Sequence, residues 1–373
     1  INPMVIAFLA AERRENRMAE PNCAHLELRP KDGKCSAELI KRCHGDDKGV
    51  ANSPIIEVKD LRKKFGDFEA VKGINFSVKK GEIFGFLGPN GAGKTTTINM
   101  LTGLALPTSG EITIAGQDGI KDIKKVQQII GIVPDESNLY AEMNGYDNLV
   151  FCASLYGMKK ARREQRAREL LKQFSLDNAG NKPFKAYSKG MKRKLTIAAG
   201  IIHEPEILFL DEPTTGIDVE SARQIRGLIT ELNAKGTTIF LTTHYIEEAE
   251  RLCHRIGFIV NGKIVKVSSV NDLMNKAQQE KTVEFAIEQG GPDLEAALSD
   301  RFSHITVRQI SPECIRISSA QEIQLMPFMR LFDEYGIVVR EAKILRPSLE
   351  EVFVKITGVE IGKLKEGQGG GKK

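Results

Sequence analysis

One segment constrains this chain more than any other: Gly88-Pro89-Asn90-Gly91-Ala92-Gly93-Lys94-Thr95. It follows the apolar run Ile83–Leu87, which reads as a buried strand, and it opens a stretch that predicts a helix from about Lys94 to Leu104. Strand, glycine-rich loop and helix in that order make an anion cradle. The glycines let successive backbone N–H groups turn inward. The helix N-terminus adds its partial positive charge. Lys94 then places a point charge on the β- and γ-phosphates of a nucleotide, and the Thr95 hydroxyl is an oxygen ligand for Mg²⁺.

A second segment fits the first. Ile207–Leu210 is an apolar strand that ends in Asp211-Glu212. At the C-terminal end of a parallel strand beside the loop, Asp211 is placed to enter the Mg²⁺ shell. Glu212 is then placed to polarise a water for in-line attack on the γ-phosphate.

The remaining pattern predicts an α/β chain. Strands are expected at Ile55–Val58, Ala70–Val78, Ile129–Val133 and Thr237–Thr243, with two helices in 144–174. Ala222, Ile225, Leu228, Ile229 and Leu232 recur at helical spacing over Val219–Ala234, closed by Gly236. Ile256–Val260 and Lys263–Val267 flank Asn261-Gly262, a hairpin signal of type I′. Short apolar strands alternating with helices imply a largely parallel sheet covered on both faces. Beyond Asn271 the order changes. Strands at Thr282–Glu288, His304–Ile310, Glu313–Ser319 and Ile337–Leu345 with helices at Pro292–Phe302 and Glu322–Tyr335 give βαββαβ, a ferredoxin-like pattern. A last helix is expected over Ser348–Thr357.

Composition excludes several classes. Hydrophobic residues are 41% and charged residues 28% of 373, ordinary for a globular protein. No apolar run approaches the roughly 18–20 residues of a spanning helix, and Met4–Ala11 lacks the basic lead-in of a signal peptide. Trp is absent and the net charge is only +5, so no nucleic-acid partner is expected. Residues 1–53 show no sustained period and read as an N-terminal arm ending in a linker, with Met4 or Met18 as candidate starts. The arm holds Cys23, His25, Cys35, Cys43 and His44, whose spacing does not match common structural zinc sites, so zinc is not expected there. Cys152, Cys253 and Cys314 read as reduced core thiols.

With these motifs in hand, the sequence resembles the ATP-binding cassette (ABC) ATPases, the nucleotide-binding subunits of ABC transporters. The resemblance covers about residues 55–270 and rests on five motifs in order: GPNGAGKTT at 88–96, YSKGM at 187–191, ILFLDEP at 207–213, TTGID at 214–218 and TTH at 242–244. It implies a P-loop NTPase cassette with an antiparallel β subdomain and a helical subdomain. It extends the phosphate site to Thr96, and it makes Glu212 and His244 the catalytic pair, His244 as the switch that contacts the γ-phosphate. Ser188 and Gly190 would touch the γ-phosphate held by the opposite subunit, Asp218 would link the two sites, and Phe65 would stack on adenine. The family's pattern puts a glutamine where this chain has Asp135, so metal contact by Asp135 and simple turn-capping stay open alternatives. Tyr187, Lys189 and Met191 also stand where Leu, Gly and Gln are commonest, and Phe65 where Tyr is usual.

The segment Arg346–Phe353 resembles the end of the extra domain of ABC-2 type exporter ATPases of the drug-resistance and gliding types. The expectation is therefore an ATP hydrolase with ATP and Mg²⁺, paired with an identical or a different ABC ATPase and held by an integral membrane permease. It would be cytoplasmic, peripheral on the inner membrane face. Alternatives are a non-transport ABC ATPase acting on ribosome or nucleic acid, and a weakly hydrolysing regulator. The expected division is an arm at 1–53, the ATP-binding domain at 54–272, an accessory domain at 276–358 and a tail at 359–373. The basic run Lys159–Lys172 is expected to be a solvated helix face with Arg/Glu pairs.

Overall fold

A computed structural model describes residues 54–278, 281–288, 294–345 and 348–358. The N-terminal arm with its Cys/His group and the tail at 359–373 lie outside the described residues. The chain divides into two units, one running to His244 and including Ile259–Ile264, the other comprising Tyr245–Phe258 and the chain from Val265 on.

The first unit begins with an antiparallel sheet. Strands β1 (Pro54–Phe65) and β2 (Phe68–Lys79) form a long hairpin, and β4 (Ser109–Ile114) and β5 (Gln117–Asp118) extend it in the order β2-β1-β4-β5. Both hairpin strands outrun the sequence expectation. The register slips between Val58 and Leu61, where Asp60 takes φ 44°, so the inside–outside alternation breaks within β1. β4 and β5 went unpredicted, because β4 carries only two alternating isoleucines, the buried Ile112 and Ile114.

The second sheet holds the chemistry. Strand β3 (Ile83–Leu87) pairs in parallel with β8 (Thr238–Thr243), β8 with β7 (Ile207–Asp211), and β7 with β6 (Ile130–Val133). Its full order is β10-β9-β3-β8-β7-β6. Every residue of β3, β7 and β8 is buried, as continuous apolar strands of a parallel sheet require. Phe84 and Phe240 pack with Phe76 of β2, ring centroids 5.7 and 5.9 Å away, and Phe209 packs on Phe240 at 5.6 Å. This aromatic seam joins the two sheets and fixes the ends of β3, β7 and β8 on one edge.

Helix α1 (Lys94–Leu101) follows β3, and the short α2 (Ile123–Ile129) precedes β6. Three helices then build a separate layer: α3 (Gly145–Leu155), α4 (Lys160–Gln173) and α5 (Lys189–Gly200). Asn144 caps α3 by accepting from the Asp147 N–H at 2.7 Å. α4 buries Ala167, Leu170 and Leu171; Arg166, at the margin of that face, stands 3.3 Å from the exposed Glu169. Helix α6 (Val219–Ala234) joins β7 to β8. The hairpin between β9 (Arg255–Val260) and β10 (Lys263–Ser269) turns at Asn261 and Gly262, with φ 50° and 78°, as a type I′ turn demands.

The second unit contains α7 (Ile246–Leu252), α8 (Val270–Gln278) and a βαββαβ run. That run is β11 (Lys281–Ile287), α9 (Leu294–Arg301), β12 (Ile305–Ser311), β13 (Cys314–Ser319), α10 (Leu325–Glu334) and β14 (Val339–Leu345). Its sheet is antiparallel throughout, in the order β12-β13-β11-β14. Phe285, Ile315 and Ile317 pack against Leu298 of α9 and Phe328 and Phe332 of α10. The final helix α11 (Leu349–Thr357), capped by the Ser348 hydroxyl, packs on α7 and α8, and Phe353 meets Phe258 edge-on at 5.3 Å.

Candidate functional site

The loop Gly88–Gly93 leaves the buried end of β3 and enters α1. Its glycines are dictated by space and backbone. A Cβ on Gly88 would lie 2.1 Å from the Ile259 carbonyl oxygen. Gly93 takes φ +103°, and a Cβ there would lie 2.8 Å from the Ala70 carbonyl. The Asn261-Gly262 turn clamps the loop from behind: Gly262 N–H donates to the Ala92 carbonyl at 3.0 Å, and Lys72 N–H to the Gly262 carbonyl at 2.8 Å.

Lys94 is 5% exposed. Its ammonium donates to the carbonyls of Gly88 at 2.7 Å and Pro89 at 3.2 Å, and stands 3.2 Å from Glu212 Oε1. Thr95, in the first turn of α1, is exposed, and Thr96 is half-buried.

β7 delivers the acids. Asp211 is buried, and its carboxylate accepts a short hydrogen bond from the Thr242 hydroxyl on β8. Glu212 follows with φ 48° and is 8% exposed. Its Oε2 receives the Thr215 hydroxyl at 3.1 Å and lies 2.8 Å from His244 Nδ1. Burial pushes the Glu212 pKa up, but the hydrogen bond from His244 and the charge of Lys94 outweigh it, and the net shift is downward. Glu212 is therefore an ionised acceptor at neutral pH, bridging a cation and a histidine.

Asp135 follows β6 by two residues. Desolvation raises its pKa; the Arg193 guanidinium opposes this, and Asp211, Glu212 and Glu136 add to the rise. Asp135 thus belongs electrostatically to the cluster of acids at this sheet edge.

The structure brings the loop, Lys94, Asp211, Glu212 and His244 together, because β3, β8 and β7 are parallel neighbours and end on the same edge. Hydroxyl and carboxylate oxygens such as those of Thr95, Asp211 and Asp135 are the hard donors that Mg²⁺ takes.

Ser188, Gly190 and Asp218 form a second group. Ser188 is exposed and caps α5, accepting from Met191 N–H at 3.2 Å. Gly190 is buried, and a Cβ on it would lie 2.1 Å from Ser221 Oγ of α6. Asp218 caps α6, accepting from Ser221 N–H at 2.8 Å, which lowers its pKa. The Tyr187 hydroxyl donates to the Ala179 carbonyl at 2.7 Å and fills the space left by Gly145. Phe65 ends β1 with its ring exposed and Lys63 Nζ 4.9 Å from its centroid.

Sequence reasoning missed Thr242, Thr215 and Arg193. The signal for Arg193 was its register: Gly190, Arg193, Ile197 and Gly200 share one buried helix face.

Fold and site together define a phosphate-loop nucleoside triphosphatase unit. The family profile described as ABC transporter matches residues 71–215. A linearmycin resistance ATP-binding protein of Bacillus subtilis (strain 168) is 35% identical over 307 residues, 82% of this chain and 98% of that protein. A daunorubicin resistance ATP-binding protein of Streptomyces coeruleorubidus is 34% identical over 308 residues, 81% of this chain and 96% of that protein. Among solved structures, the ATP-binding subunit of an ABC transporter superposes with TM-score 0.55 at 31% identity, covering 60% of this chain and 92% of that one. A dimeric post-hydrolysis ATP-binding cassette bound to ADP and Pi superposes with TM-score 0.54 at 28% identity, covering 58% and 98%. The chain belongs to the ABC transporter family, as an ATP-binding subunit that hydrolyses ATP.

Proposed function

We propose that this chain powers an ABC-2 type exporter, pairing with a second cassette and docking on a separate integral membrane permease at the inner membrane face. The resistance and export functions named for its relatives support the exporter reading. No helix among the described residues is long and apolar enough to cross a membrane, which fits a separate permease. In this reading residues 54–272 are the ATP-binding domain. Residues 276–358 are an accessory domain, ferredoxin-like by its strand order β12-β13-β11-β14.

The observation that carries the ATP-hydrolysing step of this reading is the Lys94–Glu212–His244 chain of contacts at the edge of the parallel sheet. The nucleotide's phosphates enter the loop of Gly88–Gly93, with Lys94, Thr95 and Thr96 at the start of α1. Lys94 exchanges Glu212 and two loop carbonyls for the β- and γ-phosphate oxygens, a stronger charge-assisted set. Thr95 and Asp211, with Asp135, would hold Mg²⁺, which would neutralise charge on the phosphates. Glu212, released from Lys94, orients a water and accepts its proton. His244 holds the Glu212 carboxylate and contacts the γ-phosphate. Phe65 offers its exposed face to the adenine. Ser188 and Gly190, at the N-terminus of α5, reach the γ-phosphate of the partner cassette, and Asp218 lines the seam between the two sites. ATP favours the closed pair, and hydrolysis reopens it.

Steady-state turnover tests the catalytic assignment. Glu212→Gln keeps ATP binding and lowers kcat by at least about 100-fold, within the range of general-base catalysis. Unchanged turnover would sink it.

A further inference from the structure

The hydrolytic site and the N-terminus of α5 are joined through one side chain that the proposed roles leave unused. Arg193 lies five residues after Ser188, about 7.5 Å along α5. It is 7% exposed. Its Nε donates to the Pro213 carbonyl at 2.9 Å and its Nη2 to the Asp211 carbonyl at 2.5 Å. Its Nη1 donates to the Asp135 carbonyl at 3.1 Å and to the Pro134 carbonyl. One planar group thus grips the main chain on both sides of Glu212, at the Asp211 and Pro213 carbonyls, and the main chain that carries Asp135.

A buried guanidinium is a costly choice for simple packing. Its fixed fork of donors matches several carbonyls at once, which a flexible ammonium cannot do. The carbonyls it binds come from the turns after β6 and β7, so it sets the spacing between those turns. The same helix presents Ser188 at its exposed N-terminus.

We propose that Arg193 is a positioning residue for hydrolysis: it holds the backbone under Asp135, Asp211 and Glu212 from the helix that offers Ser188 across the dimer. Movement of α5 on meeting the partner's nucleotide then moves the acids of its own site. The proposal rests on the composite-site reading above.

Arg193→Lys tests it, with Arg193→Gln as a second variant, each checked for folding by thermal unfolding. The nucleotide loop is untouched, so affinity for a fluorescent ATP analogue without metal stays within about threefold, whereas kcat falls at least about tenfold through displaced acids. In a Glu212→Gln background with ATP bound, Mn²⁺ affinity read by electron paramagnetic resonance falls at least about fivefold, because metal-holding oxygens are displaced. A folded variant that keeps kcat within about twofold, loses it only in step with ATP affinity, or keeps its Mn²⁺ affinity overturns the proposal. ATP-driven dimerisation of Glu212→Gln is measured alongside. Its absence in the parent chain would count against the composite site, while kcat and Mn²⁺ affinity still decide the role of Arg193.

Discussion

Nδ1 of His244 lies 2.8 Å from Oε2 of Glu212, at the ends of neighbouring parallel strands. That contact sets the direction of the Glu212 carboxylate and helps keep it ionised despite its burial. His244→Ala should therefore lower kcat far more than ATP affinity, with kcat falling by about 100-fold or more, the scale of a lost catalytic hydrogen-bond donor. Turnover and nucleotide binding measured on the same preparation check this. A fall in affinity with kcat preserved would place His244 in binding alone.

Lys94 carries the loop's only side-chain cation and touches Glu212 at 3.2 Å. Lys94→Ala removes a charge-assisted contact to phosphate, so ATP affinity should weaken by about 1.5–3 kcal/mol, tenfold or more. Isothermal titration with ATP reads this directly. An affinity within a factor of about two would show that the loop backbone alone holds the phosphates.

Gly190 separates two explanations of one position. A Cβ there would meet Ser221 Oγ at 2.1 Å and Ser221 Cβ at 2.7 Å. Gly190→Ala should cost about 1–3 kcal/mol of stability by overpacking. Adding Ser221→Gly should restore most of it, as denaturant unfolding would register. If stability returns without turnover, Gly190 also serves the nucleotide.

His203 links stability to pH. Its ring stacks on Tyr156 at 3.6 Å, its Nε2 meets the Ile130 carbonyl at 2.9 Å, and its Nδ1 is buried without a partner. Desolvation lowers its pKa from 6.5 to about 4, although the Ile130 carbonyl pulls the other way. The folded pKa is below the unfolded one, so the unfolded chain takes the proton first. Stability contributed by neutral His203 is full above pH 6.5 and is lost as pH falls towards 4. Between pH 7 and pH 5 the loss is about 2 kcal/mol. His203→Gln should flatten that limb of the unfolding profile; an unchanged slope would rule the group out.

The loop, the acids and the α5 cap were legible because each packs its chemistry into contiguous residues. Gly88 and Gly93 answer to clearances that a Cβ would break, Gly91 and Gly93 to positive φ that favours glycine, and Asn261-Gly262 announces its turn in the same way. The β1 and β2 extents were not legible, since the slip at Asp60 breaks the alternation that marks a strand. β4, β5 and α2 are too short to show a period. Arg193 hid for a different reason. It is one of three adjacent cations, Lys192-Arg193-Lys194; its register on the buried face of α5 hints that it turns inward, but only the fold shows the carbonyls it meets.

On the composite-site proposal, each ATP lies between the loop of one chain and the Ser188 end of α5 from another. Light scattering of the purified Glu212→Gln protein with and without ATP decides this. A monomer is expected without ATP, a dimer with it, and a monomer again when Ser188→Arg is added. A mass that ignores ATP, or a Ser188→Arg protein that dimerises equally well, would contradict it.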